Sequence, residues 1–121
     1  MDASIVFTKI KEFFPQAKEI ENITILQEFT ELAYKDDEMD VKFEFTTPHT
    51  VKITYQGGEF VYISDDEFDI TVGNRTEDEA ILDYICYLDF YWDRYVEGEI
   101  TNISKKLKEK IEKIKSKVKK L

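Results

Sequence analysis

The apolar positions of this 121-residue chain change period several times along its length, and each change marks an element. Val6, Phe7, Ile10, Phe13 and Phe14 recur at helical spacing, with Lys9, Lys11 and Glu12 between them. That spacing predicts an N-terminal amphipathic helix, capped by Asp2 or Ser4 and ended near Pro15, which disfavours helix at the residue before it. Residues 23–34 fit two patterns. Thr24 and Gln27 form a capping box ahead of Leu26, Phe29, Leu32 and Ala33, which reads as a second helix. Ile23, Ile25 and Phe29 also fit strand alternation, so helix and strand both stay open for this segment.

The middle of the chain alternates. Val41, Phe43 and Phe45 are interleaved with Lys42, Glu44 and Thr46, and Val51, Ile53 and Tyr55 with Lys52 and Thr54. Pro48-His49 reads as the turn between these two runs. Gly57-Gly58 joins the second run to Phe60, Val61, Tyr62 and Ile63, a hairpin signal. A further run, Phe68, Ile70 and Val72, follows the acidic turn Asp65-Asp66-Glu67. Together these predict a four-stranded antiparallel meander.

Helical spacing returns after Gly73-Asn74. Thr76 with Glu79 is a capping box, and Glu77 and Asp78 suit the positive end of a helix. The helix should run to about Val96, stop at Gly98, and bury Ile81, Ile85, Leu88, Trp92 and Tyr95. A last helix from about Thr101 places Leu107, Ile111, Ile114, Val118 and Leu121 on one stripe. The expected fold class is α+β: an N-terminal helix, with or without a second, a four-stranded antiparallel meander, a long helix and a basic amphipathic C-terminal helix, with the helices on one sheet face.

Charge divides the chain where hydropathy does not. Residues 1–102, an acidic α+β domain, carry 24 Asp/Glu against 8 Lys/Arg, whereas residues 103–121 carry 9 Lys against 2 Glu. The apolar stripe of that Lys-rich helix is bordered by Lys108, Lys110, Lys115 and Lys117, which would oppose one another in a parallel self-pair. The tail is therefore expected to dock on an acidic surface, its own body or a partner's.

Composition narrows the classes. At 42% hydrophobic residues the chain is too apolar for intrinsic disorder. The single Cys86 cannot form an intramolecular disulfide, the N-terminal stretch does not resemble a secretory signal, and no apolar run approaches the roughly 20 residues of a membrane span. A cytoplasmic protein is expected. One His, one Cys and no Gly-rich phosphate loop leave no catalytic, metal or cofactor assignment, so an enzyme is not expected. His49 reads as an exposed turn residue, and Cys86, with Asp83 near it on a helix, as an unreactive thiol.

The candidate partner-binding residues are mostly acids. Asp36, Asp37 and Glu38 lie in one predicted turn and Asp65, Asp66 and Glu67 in another. Glu79, Asp83, Asp93 and Glu97 share a face of the long helix with Cys86 and Phe90, opposite its apolar stripe. An aromatic residue ringed by carboxylates suits a binding surface with few anchors. An acidic body repels phosphate, so direct nucleic-acid binding is disfavoured, and the narrow apolar stripe of the tail does not suit a membrane. The expected partner is a basic protein, a nucleic-acid-binding enzyme or a toxin. In composition, size and charge the chain resembles the small acidic inhibitors that phages use against host nucleases and defence systems. That resemblance implies a non-enzymatic inhibitor acting by nucleic-acid mimicry. An immunity or antitoxin protein, and an assembly adaptor docking through the C-terminal helix, are the alternatives.

Overall fold

A computed structural model of the chain describes residues 4–13, 22–57, 59–98 and 102–121. The elements are β1 (Ser4–Phe13), β2 (Asn22–Lys35), β3 (Asp40–Gln56), β4 (Phe60–Asp65), β5 (Ile70–Asn74), α1 (Glu77–Tyr91), α2 (Lys105–Lys117) and β6 (Val118–Lys120). A π-helical turn, Trp92–Val96, extends α1. The fold is α+β, with β1 to β5 forming an antiparallel meander in chain order and β6 pairing with β3.

The predicted N-terminal helix and the segment left open between helix and strand are both strands. The N-terminal helix is replaced by β1, although Asp2, Phe14 and Pro15 lie outside the described residues. The cause is visible in the register: shifts between Phe7 and Lys9 and between Lys9 and Lys11 offset the pairing with β2. The first puts an extra residue in β2 and the second one in β1, and an extra residue can stretch an apolar spacing of two into three, which imitates a helical period. β2 settles residues 23–34 as strand for the same reason. Ile25, Gln27 and Phe29 are buried, a shift follows between Phe29 and Glu31, and burial resumes at Leu32 and Tyr34.

Pro48-His49 is not a turn. β3 runs straight through it, pairing with β2 on both sides: Phe29 faces His49 and Glu31 faces Glu44. Residues 45–48 therefore form a wide bulge opposite Thr30, where Pro48 has no ladder partner and its missing N–H costs no sheet hydrogen bond. The hairpin at Gly57 is present, with Glu59 N–H donating to the Gln56 carbonyl at 3.0 Å. The last predicted meander strand starts at Ile70; Phe68 lies in the turn before it and is fully buried.

One face of the sheet presents Ile25, Phe29, Leu32, Phe43, Ile53, Ile63 and Ile70 to Ala80, Ile81, Ile85 and Leu88 of α1, all in one buried cluster. β4 is much shorter than β3 and covers only Lys52–Gln56 of its edge. β6 takes the other part of that edge, pairing Val118 with Phe45 and Lys120 with Phe43, and so removes an exposed strand edge. The helix expected to reach Leu121 thus ends at Lys117 and continues as strand. It also starts at Lys105, capped by Ser104, whose Oγ accepts from Leu107 N–H at 3.2 Å; Thr101 lies outside the described residues. Ile111, Ile114 and Val118 are buried within the chain, whereas Leu121 is exposed.

Candidate protein-binding face

Helix α1 begins as its sequence dictates. Thr76 Oγ1 accepts from Glu79 N–H at 3.1 Å and donates to Glu79 Oε1 at 3.2 Å. Ile81, Tyr84, Ile85 and Leu88 turn inward, and Glu79, Cys86, Phe90, Asp93 and Glu97 outward. Phe90 is 53% exposed, so α2 does not cover it.

The π turn shapes the end of this face. Glu97 N–H donates to the Trp92 carbonyl at 2.9 Å, and Trp92 Nε1 donates to Glu97 Oε1 at 3.1 Å. Gly98 closes the turn because only glycine fits there: a Cβ would stand 2.3 Å from the Arg94 carbonyl oxygen. Along the flank, Tyr87, Tyr91 and Tyr95 form a ladder. The Tyr87 and Tyr91 rings stack at 4.8 Å, and Tyr91 and Tyr95 lie 5.4 Å apart at a tilt. Phe90 meets Tyr91 and Tyr95 edge-on at 5.8 Å and 6.4 Å. Two cations sit against these rings. Lys110 of α2 lies 5.0 Å from the Tyr87 centroid and 4.6 Å from that of Tyr91, while Arg94 lies 5.6 Å from Phe90 and 5.8 Å from Tyr95. Sequence reasoning missed Arg94 and Lys110; the spacing of Tyr87, Tyr91 and Tyr95, four residues apart, was the available signal.

The predicted acids fall into different settings. In the β2–β3 turn, Asp36 is tied down: its carboxylate accepts from Tyr34 hydroxyl at 2.7 Å and from the amides of Glu38 and Met39 at 2.8 Å and 2.7 Å. The Tyr34 hydrogen bond first, and the amides with it, hold its carboxyl below the usual carboxylate range. Asp37 and Glu38 beside it are exposed. The exposed Cys86 thiol is raised above its ordinary value, by burial first and then by the charges of Asp83, Asp89 and Asp36. Asp83 is half-buried and accepts from Asn74 Nδ2 at 2.8 Å. Asp93 binds Lys120 Nζ at 2.8 Å, and the half-buried Asp89 binds the same ammonium at 2.7 Å. Glu79, Glu97, Asp37 and Glu38 have no ion pair among the described residues.

Asp65 does not belong to an exposed acidic turn. It is 1% exposed and cannot present its carboxylate to a partner. Its Oδ2 lies 2.6 Å from His49 Nε2 and accepts the Tyr84 hydroxyl, and its Oδ1 accepts Phe68 N–H at 2.9 Å. Burial alone would raise this carboxyl, but the His49 hydrogen bond and charge, the Tyr84 hydroxyl and the Phe68 amide outweigh it and hold it below its ordinary value. The Tyr84 hydroxyl is pushed well above its ordinary value, by burial first and then by the Asp65 charge. It therefore stays protonated and donates. His49, expected at the surface, is fully buried, its ring stacked against Phe68 at 4.5 Å and against Phe45 at 5.1 Å. Its Nδ1 lies 3.0 Å from Glu67 Oε2, off the line of a directed hydrogen bond. Glu67 also binds Lys117 at 2.8 Å, and Asp66 binds Lys52 at 3.0 Å. The 65–69 segment is therefore largely engaged by the chain's own sheet and tail.

Among the described residues no group of three or more His, Cys, Asp or Glu side chains is placed to hold a metal ion, and no helix is long and apolar enough to cross a membrane. Comparison with protein-family models, with curated proteins and with solved structures finds no match.

Proposed function

We propose that this chain is a small acidic, non-enzymatic inhibitor that binds a basic nucleic-acid-handling protein through the outer face of α1 and the neighbouring β2–β3 turn. One observation carries the reading: Phe90 stands 53% exposed on a face whose other members include Glu79, Asp93 and Glu97. A large aromatic held in water among carboxylates gains little from its own fold and much from a partner that covers it. The surrounding charge suits a basic surface, steering encounter and selecting against acidic partners. A groove that normally holds phosphates is such a surface, and carboxylates can stand where phosphates would lie. The apolar stripe of α2 is buried against the chain's own core at Ile111 and Ile114, which favours this reading over an adaptor that docks through that helix.

The test begins with affinity capture from the native host and continues with the captured protein and its nucleic acid. Binding of the nucleic acid and of this chain should be mutually exclusive. Association should slow steeply with salt, since screening shortens to about 8 Å near 0.15 M. A partner that holds nucleic acid and this chain together, or an association rate indifferent to salt, would rule out the mimicry.

A further inference from the structure

We infer that the outer end of the tyrosine ladder is a recognition site for an arginine side chain of the basic partner, and that Arg94 occupies that site in the free protein as a resident competitor; the inference rests on the partner-binding role proposed for this face. The ladder already binds a cation at its inner end. Lys110 reaches it from another element, with its Nζ over the rings of Tyr87 and Tyr91 and within 3.2 Å of the Tyr87 hydroxyl. Lys110 is anchored as well, donating to the Asp69 carbonyl at 2.9 Å. The outer end repeats the aromatic half of this arrangement without the anchor. Phe90 and Tyr95 hold Arg94 at 5.6 Å and 5.8 Å, and no side-chain hydrogen bond or ion pair of Arg94 is present among the described residues.

The chemistry at this end suits a guanidinium. Its plane stacks on aromatic faces while its edge pairs with carboxylates, which an ammonium does less well. Arg94 is the lone basic residue between Glu77 and Gly98, a stretch with seven acids. Glu97, exposed on the same outward face and without an ion pair among the described residues, supplies the carboxylate half, whereas Asp93 already holds Lys120. Because Arg94 is exposed and held by ring faces alone, an incoming arginine can displace it at little cost. Removing it should free the rings and improve binding, the opposite of what truncating an ordinary contact residue does.

The experiment uses the full chain and a nine-residue oligo-arginine peptide, with affinity measured by calorimetry at fixed salt. Loss of any positive charge favours a cationic ligand, so Arg75→Ala, an exposed arginine before α1, is the charge-matched control. Arg94→Ala should bind about two- to fivefold more tightly than Arg75→Ala, the range of an exposed cation–π contact. In a Phe90→Leu, Tyr95→Leu background, which keeps apolar side chains but no ring face against Arg94, that advantage should vanish. Equal affinities for Arg94→Ala and Arg75→Ala, or an advantage that survives the Phe90→Leu, Tyr95→Leu pair, would overturn the inference. A wild-type protein that binds the peptide no better than Phe90→Ala would overturn the binding face itself, and the inference with it.

Discussion

His49 Nε2 lies 2.6 Å from Asp65 Oδ2 with both side chains withdrawn from solvent, and the Tyr84 hydroxyl donates to the same oxygen. This contact joins β3 to the end of β4 and to α1, so it holds the sheet and the main helix in one arrangement.

Asp65→Asn should therefore destabilise the fold by about 3–5 kcal/mol at pH 7, as breaking a buried pair does. The Asp65 carboxyl is depressed in the fold. Its contribution is complete above the unfolded value of about 3.9 and is lost as pH falls through the lowered folded value. The stability difference between wild type and variant should shrink below about pH 4. Denaturant titrations from pH 7 down to pH 2 check this; a difference that stays constant over that range contradicts it.

Phe90→Ala should leave the melting curve within about 0.5 kcal/mol of wild type, as surface changes do. Partner binding should weaken by about 2 kcal/mol or more, the loss expected of an anchoring aromatic. Melts run beside binding assays separate the two effects. A destabilised protein with unchanged affinity would place Phe90 in the fold rather than in the interface.

Ile114→Ala should cost about 2–5 kcal/mol, because Ile114 is fully buried in the core cluster. Leu107→Ala on the same helix, half-exposed, should cost much less. The tail's stripe serves its own body, so a chain lacking residues 105–121 should expose apolar core and the β3 edge, seen by sedimentation as new self-association and not as loss of a dimer. A dimer that becomes a monomer on truncation would refute this.

Gly98→Ala should disturb the π turn. The added methyl meets backbone atoms, the Arg94 carbonyl oxygen at 2.3 Å and the Asp93 carbonyl oxygen at 3.2 Å, which cannot swing away as a side chain could. The expected cost is about 1–3 kcal/mol. Trp92 fluorescence should shift as its bond to Glu97 is strained, and an unchanged spectrum and melt would show that the turn accommodates the methyl.

The elements after Gly57 were largely legible in the sequence: the hairpin, the Thr76–Glu79 cap and the buried Ile81, Ile85 and Leu88 of α1 stand where pattern and capping chemistry place them, while Trp92 and Tyr95, on the same predicted stripe, are only partly buried in the π turn. The first half was not, and the reason is bulges. A register shift at Thr30 moved the buried positions from Phe29 to Leu32, which reads as a helical step. The break at Pro48 was real, but the chain absorbed it as a bulge instead of reversing. For the candidate face, the outward placement of Glu79, Cys86 and Phe90 followed from helical geometry alone. Asp65 was misplaced because a run of acids reads as solvent-exposed, and nothing local indicates that one of them finds a buried imidazole 16 residues away. Arg94 and Lys110 were missed because cation–ring contacts depend on the π turn and on where α2 lies.

The closing strand has a consequence for how the molecule assembles. Thr46 and Lys117, hydrogen-bonded at 3.3 Å beside β6, are 71 residues apart, whereas the hairpins of the meander are local. Loop-closure entropy penalises that distant contact until the intervening chain is already ordered. β6 should therefore seal the sheet after the folding barrier, acting as a latch against opening rather than as part of the nucleus. Val118→Ala should raise the unfolding rate in stopped-flow chevrons and leave the refolding rate nearly unchanged; equal slowing of refolding would place the latch in the nucleus. The lifetime of the folded state, and not the speed of reaching it, would then be set by three residues at the far end of the chain.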